Sequence, residues 1–108
     1  MGKSDVLHGT LEFLLLKAIS LEPLHGYAIA QRITQYGEDL LRVEEGSLYP
    51  ALYRLEAGGW ISSSWGVTGN NRRARYYRIT PTGRKRMADQ QRHWRRFIRV
   101  LGRVVEST

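Results

Sequence analysis

Residues 46–79 constrain the fold most, because a short helix with clear start and stop signals is followed at once by two β-patterned runs. Ser47 suits the N-cap, where a hydroxyl accepts hydrogen bonds from the free amides of the first turn. Pro50 suits that first turn, since its missing amide costs little there, and the glycine pair 58–59 suits the end. We therefore expect a helix over residues 47–57 whose apolar face is made by Leu48, Leu52 and Leu55.

The two β-patterned runs are residues 60–65 and 74–79, in which side chains alternate at the period of a half-buried strand. Residues 66–73, between them, are rich in glycine, asparagine and arginine, which favours a turn. These features predict a two-stranded hairpin with arginines at its tip.

Helical periodicity precedes this unit. Apolar residues recur over residues 7–19 at the spacing of one helix face, from Leu7 onward. Pro23 interrupts the pattern, and a second helix is expected over residues 27–36. An extended connector is expected over residues 38–45.

The last helix is expected to begin at Pro81, because proline is favoured at the first helical position, and to reach about Val105. The order is therefore helix, helix, helix, hairpin, long helix. Three helices followed by a two-stranded wing are typical of the winged helix-turn-helix, which presents its third helix to the major groove of DNA. We predict a mainly α (α+β) winged-helix domain over residues 1–80 and a C-terminal dimerisation helix over residues 81–108, together one compact unit.

The charge of the chain is uneven. Residues 1–46 carry four basic and seven acidic side chains, whereas residues 47–108 carry 13 basic and three acidic ones, within a formal net charge of +7. This asymmetry favours a polyanionic partner for the second half, either nucleic acid or an anionic membrane. The alternative is that a basic balance only keeps a small protein in solution.

The composition excludes several classes of protein. The 108 residues fit one domain. The absence of cysteine excludes disulfides and thiolate metal sites, and no apolar run is long enough to cross a bilayer. The start of the sequence lacks the apolar stretch of a signal peptide, so we expect a cytoplasmic protein.

Two groups of residues are candidates for DNA contacts. On the predicted third helix, Arg54 has the donors to pair with guanine or phosphate, and Tyr49 and Tyr53 offer hydroxyls and flat rims for bases. The wing carries a cluster of polar donors with no acidic residue between Glu56 and Asp89, namely Asn71, Arg72, Arg73 and Arg75. The alternatives are that the tyrosines pack against the core and that the arginines only belong to a polar turn exposed to solvent.

The last helix carries apolar and long side chains at alternating spacings of four and three: Met87, Gln91, Trp94, Ile98, Leu101 and Val105. This seam predicts a partner helix and hence a homodimer. The alternatives are that the helix packs on its own domain or lies on a membrane surface. A two-fold axis near Trp94 would create a pocket for a planar aromatic effector.

No group of residues suggests catalysis. His8, His25 and His93 lack metal-ligand spacing, and no phosphate-binding glycine loop occurs. We therefore expect no enzyme activity, no metal and no cofactor.

Four motifs resemble the PadR family of transcriptional regulators: LLLKA at 14–18, PLHGYAI at 23–29, EGSLYPALYRLE at 45–56 and RRARYYRITPTG at 72–83. The resemblance implies a homodimer that binds a pseudo-palindromic operator in double-stranded DNA, and repression that a small effector relieves. The resemblance is to the shorter members of the family, so we expect no helical domain after the last helix.

The resemblance also implies roles for residues. It implies DNA contacts by the third helix (Ser47, Tyr49, Pro50, Arg54), the wing (Arg72, Arg73, Arg75) and the turn before the second helix (His25, Tyr27). It implies a dimer built by the last helix together with Leu11 and Leu15 of the first. An RNA-binding module and a membrane-surface adaptor remain the rival interpretations.

Overall fold

The computed structural model describes residues 2–37 and 41–108, with side chains from residue 9 onward. Its elements follow the predicted order, with one added strand. They are α1 (Gly2–Ala18), β1 (Leu24–His25), α2 (Gly26–Gly37), α3 (Glu45–Ala57), β2 (Ile61–Val67), β3 (Arg73–Ile79) and α4 (Pro81–Glu106). The side chain of Leu7 and the first three residues of the predicted 38–45 connector lie outside the described residues.

Helix α3 begins earlier than predicted. Glu44 occupies the N-cap position without a side-chain hydrogen bond, and the amides of Ser47 and Leu48 donate to the Glu44 carbonyl. Ser47 is therefore not the N-cap, and Pro50 lies inside the helix rather than in its first turn. Both predictions were wrong because the helix gains a further half-turn. The carbonyl that Pro50 leaves without an amide partner belongs to exposed Gly46, where water can reach it.

The sheet has three antiparallel strands in the order β1-β3-β2, so the prediction of a two-stranded wing missed one strand. The chain after Pro23 pairs with the free edge of β3, with Leu24 opposite Tyr77 and His25 opposite Tyr76. His25 also closes the start of α2, because its Nδ1 accepts from the Ala28 amide at 3.3 Å. A segment predicted to be only a turn thus joins the wing to α2.

One core holds the helices and the base of the sheet together. It consists of apolar side chains from α1 and the residue after it, α2, α3, β2 and β3: Leu15, Leu16, Ala18, Ile19, Ile29, Ile33, Leu48, Ala51, Leu52, Leu55, Ile61 and Tyr77. Leu48, Leu52 and Leu55 form the buried face of α3 as predicted. Leu15 is 0% exposed, so it has no surface to offer a second chain, and the prediction that it lies at a dimer interface is wrong.

The start of α4 is fixed against the wing. Pro81 occupies the first turn as predicted, and the Thr80 hydroxyl accepts from the Gly83 amide at 3.0 Å. Gly83 is required there, since a Cβ would collide with the carbonyl oxygen of Trp60. Further along, the Lys17 ammonium lies 3.4 Å from Gln91 Oε1, which ties α4 to α1. None of the helices in the described part of the chain has the length and hydropathy that a bilayer span requires.

Candidate nucleic-acid interface

The outward face of α3 carries two exposed tyrosines. The side chains opposite the buried leucines are Tyr53, which is 75% exposed, and Tyr49, which is 46% exposed, with exposed Pro50 between them. Tyr49 also packs its ring against Gly26 at the start of α2. The tyrosines therefore do not fill the core, and Tyr49 bridges two elements at the surface.

A groove of about 730 Å³ runs between the start of α2, Tyr49 of α3 and the wing. It brings together six of the predicted contact residues: His25, Tyr27, Tyr49, Arg72, Arg73 and Arg75. A second groove of about 570 Å³ continues between α3 and the wing, and Tyr53 and Glu56 line it with Tyr49 and Arg75. Ser47, Pro50, Arg54 and Asn71 line neither groove.

The wing tip is a closed loop of five residues. The Thr68 amide donates to the Arg72 carbonyl at 2.8 Å, and the Asn71 amide donates to the Thr68 carbonyl at 2.9 Å. Asn71 has a φ of 62°, in the left-handed region that asparagine tolerates better than most residues. Its conformation gives Asn71 a role in the turn, while Asn70 lines the larger groove.

Trp65, on β2, is a site residue that the sequence did not single out. It is 58% exposed and lies opposite Arg75 in the hairpin. The guanidinium carbons of Arg73 and Arg75 lie 4.8 and 5.4 Å from its ring centroid, within the range of cation–π contacts. The signal was present in the sequence, because period-two alternation places Trp65 on the same strand face as Ile61 but farther from the core.

A chain of hydrogen bonds links Arg75 back to α3. Arg75 Nε donates to Ser63 Oγ at 2.8 Å, and that hydroxyl donates to the Glu56 carboxylate at 2.5 Å. Beneath them, burial raises the pKa of the Tyr77 phenol, an effect that the positive charge of Arg75 opposes. The phenol of Tyr77 is therefore uncharged and lies beneath Arg75 and Glu56.

Arg54 lies on the other flank of α3. Its Nε is 3.5 Å from Oε2 of Glu12 on α1, and the other oxygen of Glu12 is 3.4 Å from Nη2 of Arg86 on α4. Arg86 also stacks on the indole of Trp60 at 3.9 Å. Glu12 therefore ties α3 to α4, and Arg54 faces a carboxylate rather than the grooves.

Comparisons with known proteins agree with this arrangement. The model of the transcriptional regulator PadR-like family matches residues 15–89. Transcriptional regulator Rv3488 of Mycobacterium tuberculosis is 39% identical over 80 residues, which cover 73% of this chain and 71% of that protein. The chain belongs to the PadR-like family of transcriptional regulators.

Solved structures extend the likeness over almost the whole PadR-like chain. A transcriptional regulator from Clostridium thermocellum has a TM-score of 0.83 at 31% identity, covering 94% of this chain and 99% of that one. A PadR-like transcriptional regulator from Bacillus cereus has a TM-score of 0.83 at 25% identity, covering 96% and 99%. These matches confirm the predicted winged helix with a C-terminal helix and identify a regulator, not an enzyme.

The second surface of this PadR-like regulator is the far half of α4. Three residues of the predicted seam, Ile98, Leu101 and Val105, are exposed there, and Trp94 is half-buried against the edge of Phe97, with the ring centroids 5.8 Å apart. Met87 packs on the chain's own core instead. The near half of α4, which contains Met87, therefore packs on its own domain, as the alternative interpretation of the seam predicted.

The apolar face of this far half is wider than the predicted seam. Phe97, Val100 and Val104 are exposed beside it, one helical position away from the predicted stripe. The arginines occupy the opposite face of the helix: Arg92, Arg95, Arg96, Arg99 and Arg103. Among the residues that the structure describes, no cluster of His, Asp or Glu suits a metal ion.

Proposed function

We propose that this PadR-like regulator binds a pseudo-palindromic duplex operator as a homodimer. In this proposal residues 1–80 form the DNA-binding unit and residues 81–108 form the helix that pairs two copies. The observation that carries it is the shared groove, in which the exposed Tyr49 of α3 and three wing arginines face the same space. Operator binding requires the compartment that holds DNA, so we expect the protein to act in the cytoplasm.

The residues of the grooves divide into two roles. Arg72, Arg73 and Arg75 suit the DNA backbone, since guanidinium groups pair with phosphates irrespective of sequence. Tyr49 and Tyr53 suit base edges in the major groove, because they project from the exposed face of α3. His25 and Tyr27 lie at the start of α2, where backbone amides favour a phosphate.

Four further predicted contact residues line neither groove. Ser47 and Pro50 are exposed in the first half of α3, so we propose that they contact the DNA backbone. Arg54 reaches DNA only by leaving Glu12. Asn71 contributes by shaping the wing tip.

The far half of α4 is the proposed dimer surface. Ile98, Leu101 and Val105, with the half-buried Trp94, present apolar area that the chain does not cover. Leu11, Met87 and Gln91 are half-buried at the junction with α1, and we propose that their exposed parts border this surface. A second copy supplies a matching stripe through two-fold symmetry.

We also propose that the regulator is a repressor released by a planar aromatic effector. Trp94 and its symmetry copy would provide flat apolar walls for such a molecule. Titration with planar phenolic compounds, followed by tryptophan fluorescence, tests this. Quenching that persists unchanged in Trp94→Phe, or binding that leaves operator affinity unaltered, would contradict it.

Selection of bound fragments from genomic DNA tests the main proposal. With a selected operator in hand, Tyr53→Ala should reduce discrimination against a scrambled duplex by about 1–3 kcal/mol. Arg72→Ala should weaken binding to both duplexes alike and lower the dependence of log K on log salt by about one. Equal affinity for operator, scrambled duplex and structured RNA would contradict the proposal.

A further inference from the structure

Trp65 is unusual among the exposed side chains of the wing. It lies near the end of β2, past the point where the inner face of the sheet is covered by the core. A large indole with 58% of its surface exposed contributes little to that core. Its contacts are instead with the two arginines of β3 that face the larger groove.

Those contacts fix Arg75 from two sides. Its guanidinium carbon lies over the Trp65 ring, 5.4 Å from the centroid, while Nε donates to Ser63 Oγ. The Ser63 hydroxyl is itself oriented, because it donates to Glu56 of α3. The terminal amino groups of Arg75 are not needed for either contact, so the arginine is held while those donors stay available for a ligand.

Arg73 shares the same indole at 4.8 Å. Among the described ion pairs, neither Arg73 nor Arg75 has a carboxylate partner. Two guanidinium groups, two positions apart on one strand, are thus held on one aromatic ring beside Tyr49. Two adjacent positive charges that lack an acidic partner match the phosphates of a DNA strand.

We propose that Trp65 is a positioning residue that holds Arg73 and Arg75 as a preformed pair for the DNA backbone next to α3. This inference rests on the proposed function. A free arginine loses rotamer freedom when it binds a phosphate, whereas an arginine already held on an indole loses less. Trp65 therefore strengthens DNA binding without contributing a charge and without reading a base.

The experiment compares Trp65→Leu, which removes the aromatic face, with Trp65→Phe, which keeps a ring. Ser62→Ala is the matched control, because Ser62 is exposed on the other face of the same strand, where it lies opposite Arg78. Dissociation constants are measured over a range of salt on a selected operator and on a scrambled duplex. Circular dichroism verifies that each variant is folded.

We expect Trp65→Leu to weaken binding about tenfold on both duplexes. The salt dependence should stay unchanged, because no positive charge is lost. Trp65→Phe should recover most of the affinity, and Ser62→Ala should bind like the unaltered protein. Without DNA, ¹⁵N relaxation should show an ordered Arg75 Nε–H bond in the unaltered protein and a mobile one in Trp65→Leu.

Several results would overturn the proposal. They are unaltered affinity of Trp65→Leu, a loss confined to the operator, a lowered salt dependence, or an Arg75 Nε–H bond that is equally ordered in every variant. If the unaltered protein bound no duplex, the proposed function would fail instead, and the relaxation measurement would still decide whether Trp65 orders Arg75.

Discussion

Large aliphatic side chains are buried in the winged-helix body but exposed in the far half of α4. In the body, Leu52 and Leu55 are at most 1% exposed. In the far half of α4, Ile98 is 62% exposed and Val105 is 70% exposed. The body therefore completes its core within one chain, whereas the far half of α4 presents an exposed apolar face, which is typical of an interaction site.

The arginines of the body and of the far half of α4 also differ in their positions. The body places its wing arginines beside α3, where they line a groove. The far half of α4 places its arginines on the face opposite the apolar stripe, where they keep that helix hydrated. These positions are the basis for proposing a polyanionic partner for the first region and an apolar partner for the second.

The largest expected effect comes from charging the apolar face of α4. The double variant Ile98→Glu with Leu101→Glu should convert a dimer into a monomer, since two buried carboxylates would oppose association. Operator affinity should fall by about a hundredfold or more, because the two DNA-binding units would no longer be linked. Sedimentation equilibrium and DNA titration measure the two effects.

The control places the carboxylate on the other side of the same helix. Arg99→Glu should leave the dimer intact, because Arg99 belongs to the opposite face. If the seam variant remained a dimer, the interface would lie elsewhere on the chain.

The next effect separates folding from association. Leu52→Ala should lower the free energy of unfolding by about 2–5 kcal/mol, because it opens a cavity in a closed core. Leu101→Ala should leave the unfolding of a monomeric variant unchanged and weaken only the dimer. Thermal unfolding at several protein concentrations distinguishes them, and equal losses in the monomer would contradict the division into two regions.

The sequence predicted the fold well because the spacing of apolar residues indicates which side chains are buried. The positions of proline and glycine indicate where helices and strands begin and end. The heptad-like spacing, the Thr80-Pro81 start and the alternating strands each reflect one local rule. Strand β1 was missed because a two-residue strand has no periodicity of its own and exists only by pairing with β3. The start of α3 was misplaced because Ser47 fits the local rule for an N-cap, although Glu44 takes that position.

The candidate site was harder to predict, because it depends on contacts between distant residues. Arg54 and Glu12 are 42 positions apart in the sequence, and only the packing of α1 on α3 brings them together. Leu15 fits an apolar stripe equally well whether a core or a partner covers it. The wider face with Phe97 and Val100 was missed because a strict heptad excludes neighbouring positions.

The smallest expected effect concerns the junction between the two regions. Glu12→Gln should destabilise the fold by up to about 1 kcal/mol, since partly exposed ion pairs contribute little. Combining it with Arg54→Ala should give less than the sum of the single losses, because both remove the same contact. Chemical denaturation of the four proteins measures the coupling, and strictly additive losses would mean that the tie has no energetic consequence.

We propose, above all, that the body binds DNA and that the far half of α4 pairs two copies on one operator. Sedimentation of the protein with a selected palindromic duplex tests it most directly. We predict two chains per duplex for the unaltered protein and one chain per duplex, bound far more weakly, for the Ile98→Glu and Leu101→Glu variant. One chain per duplex for the unaltered protein, at an affinity that the two glutamates leave unchanged, would contradict the claim.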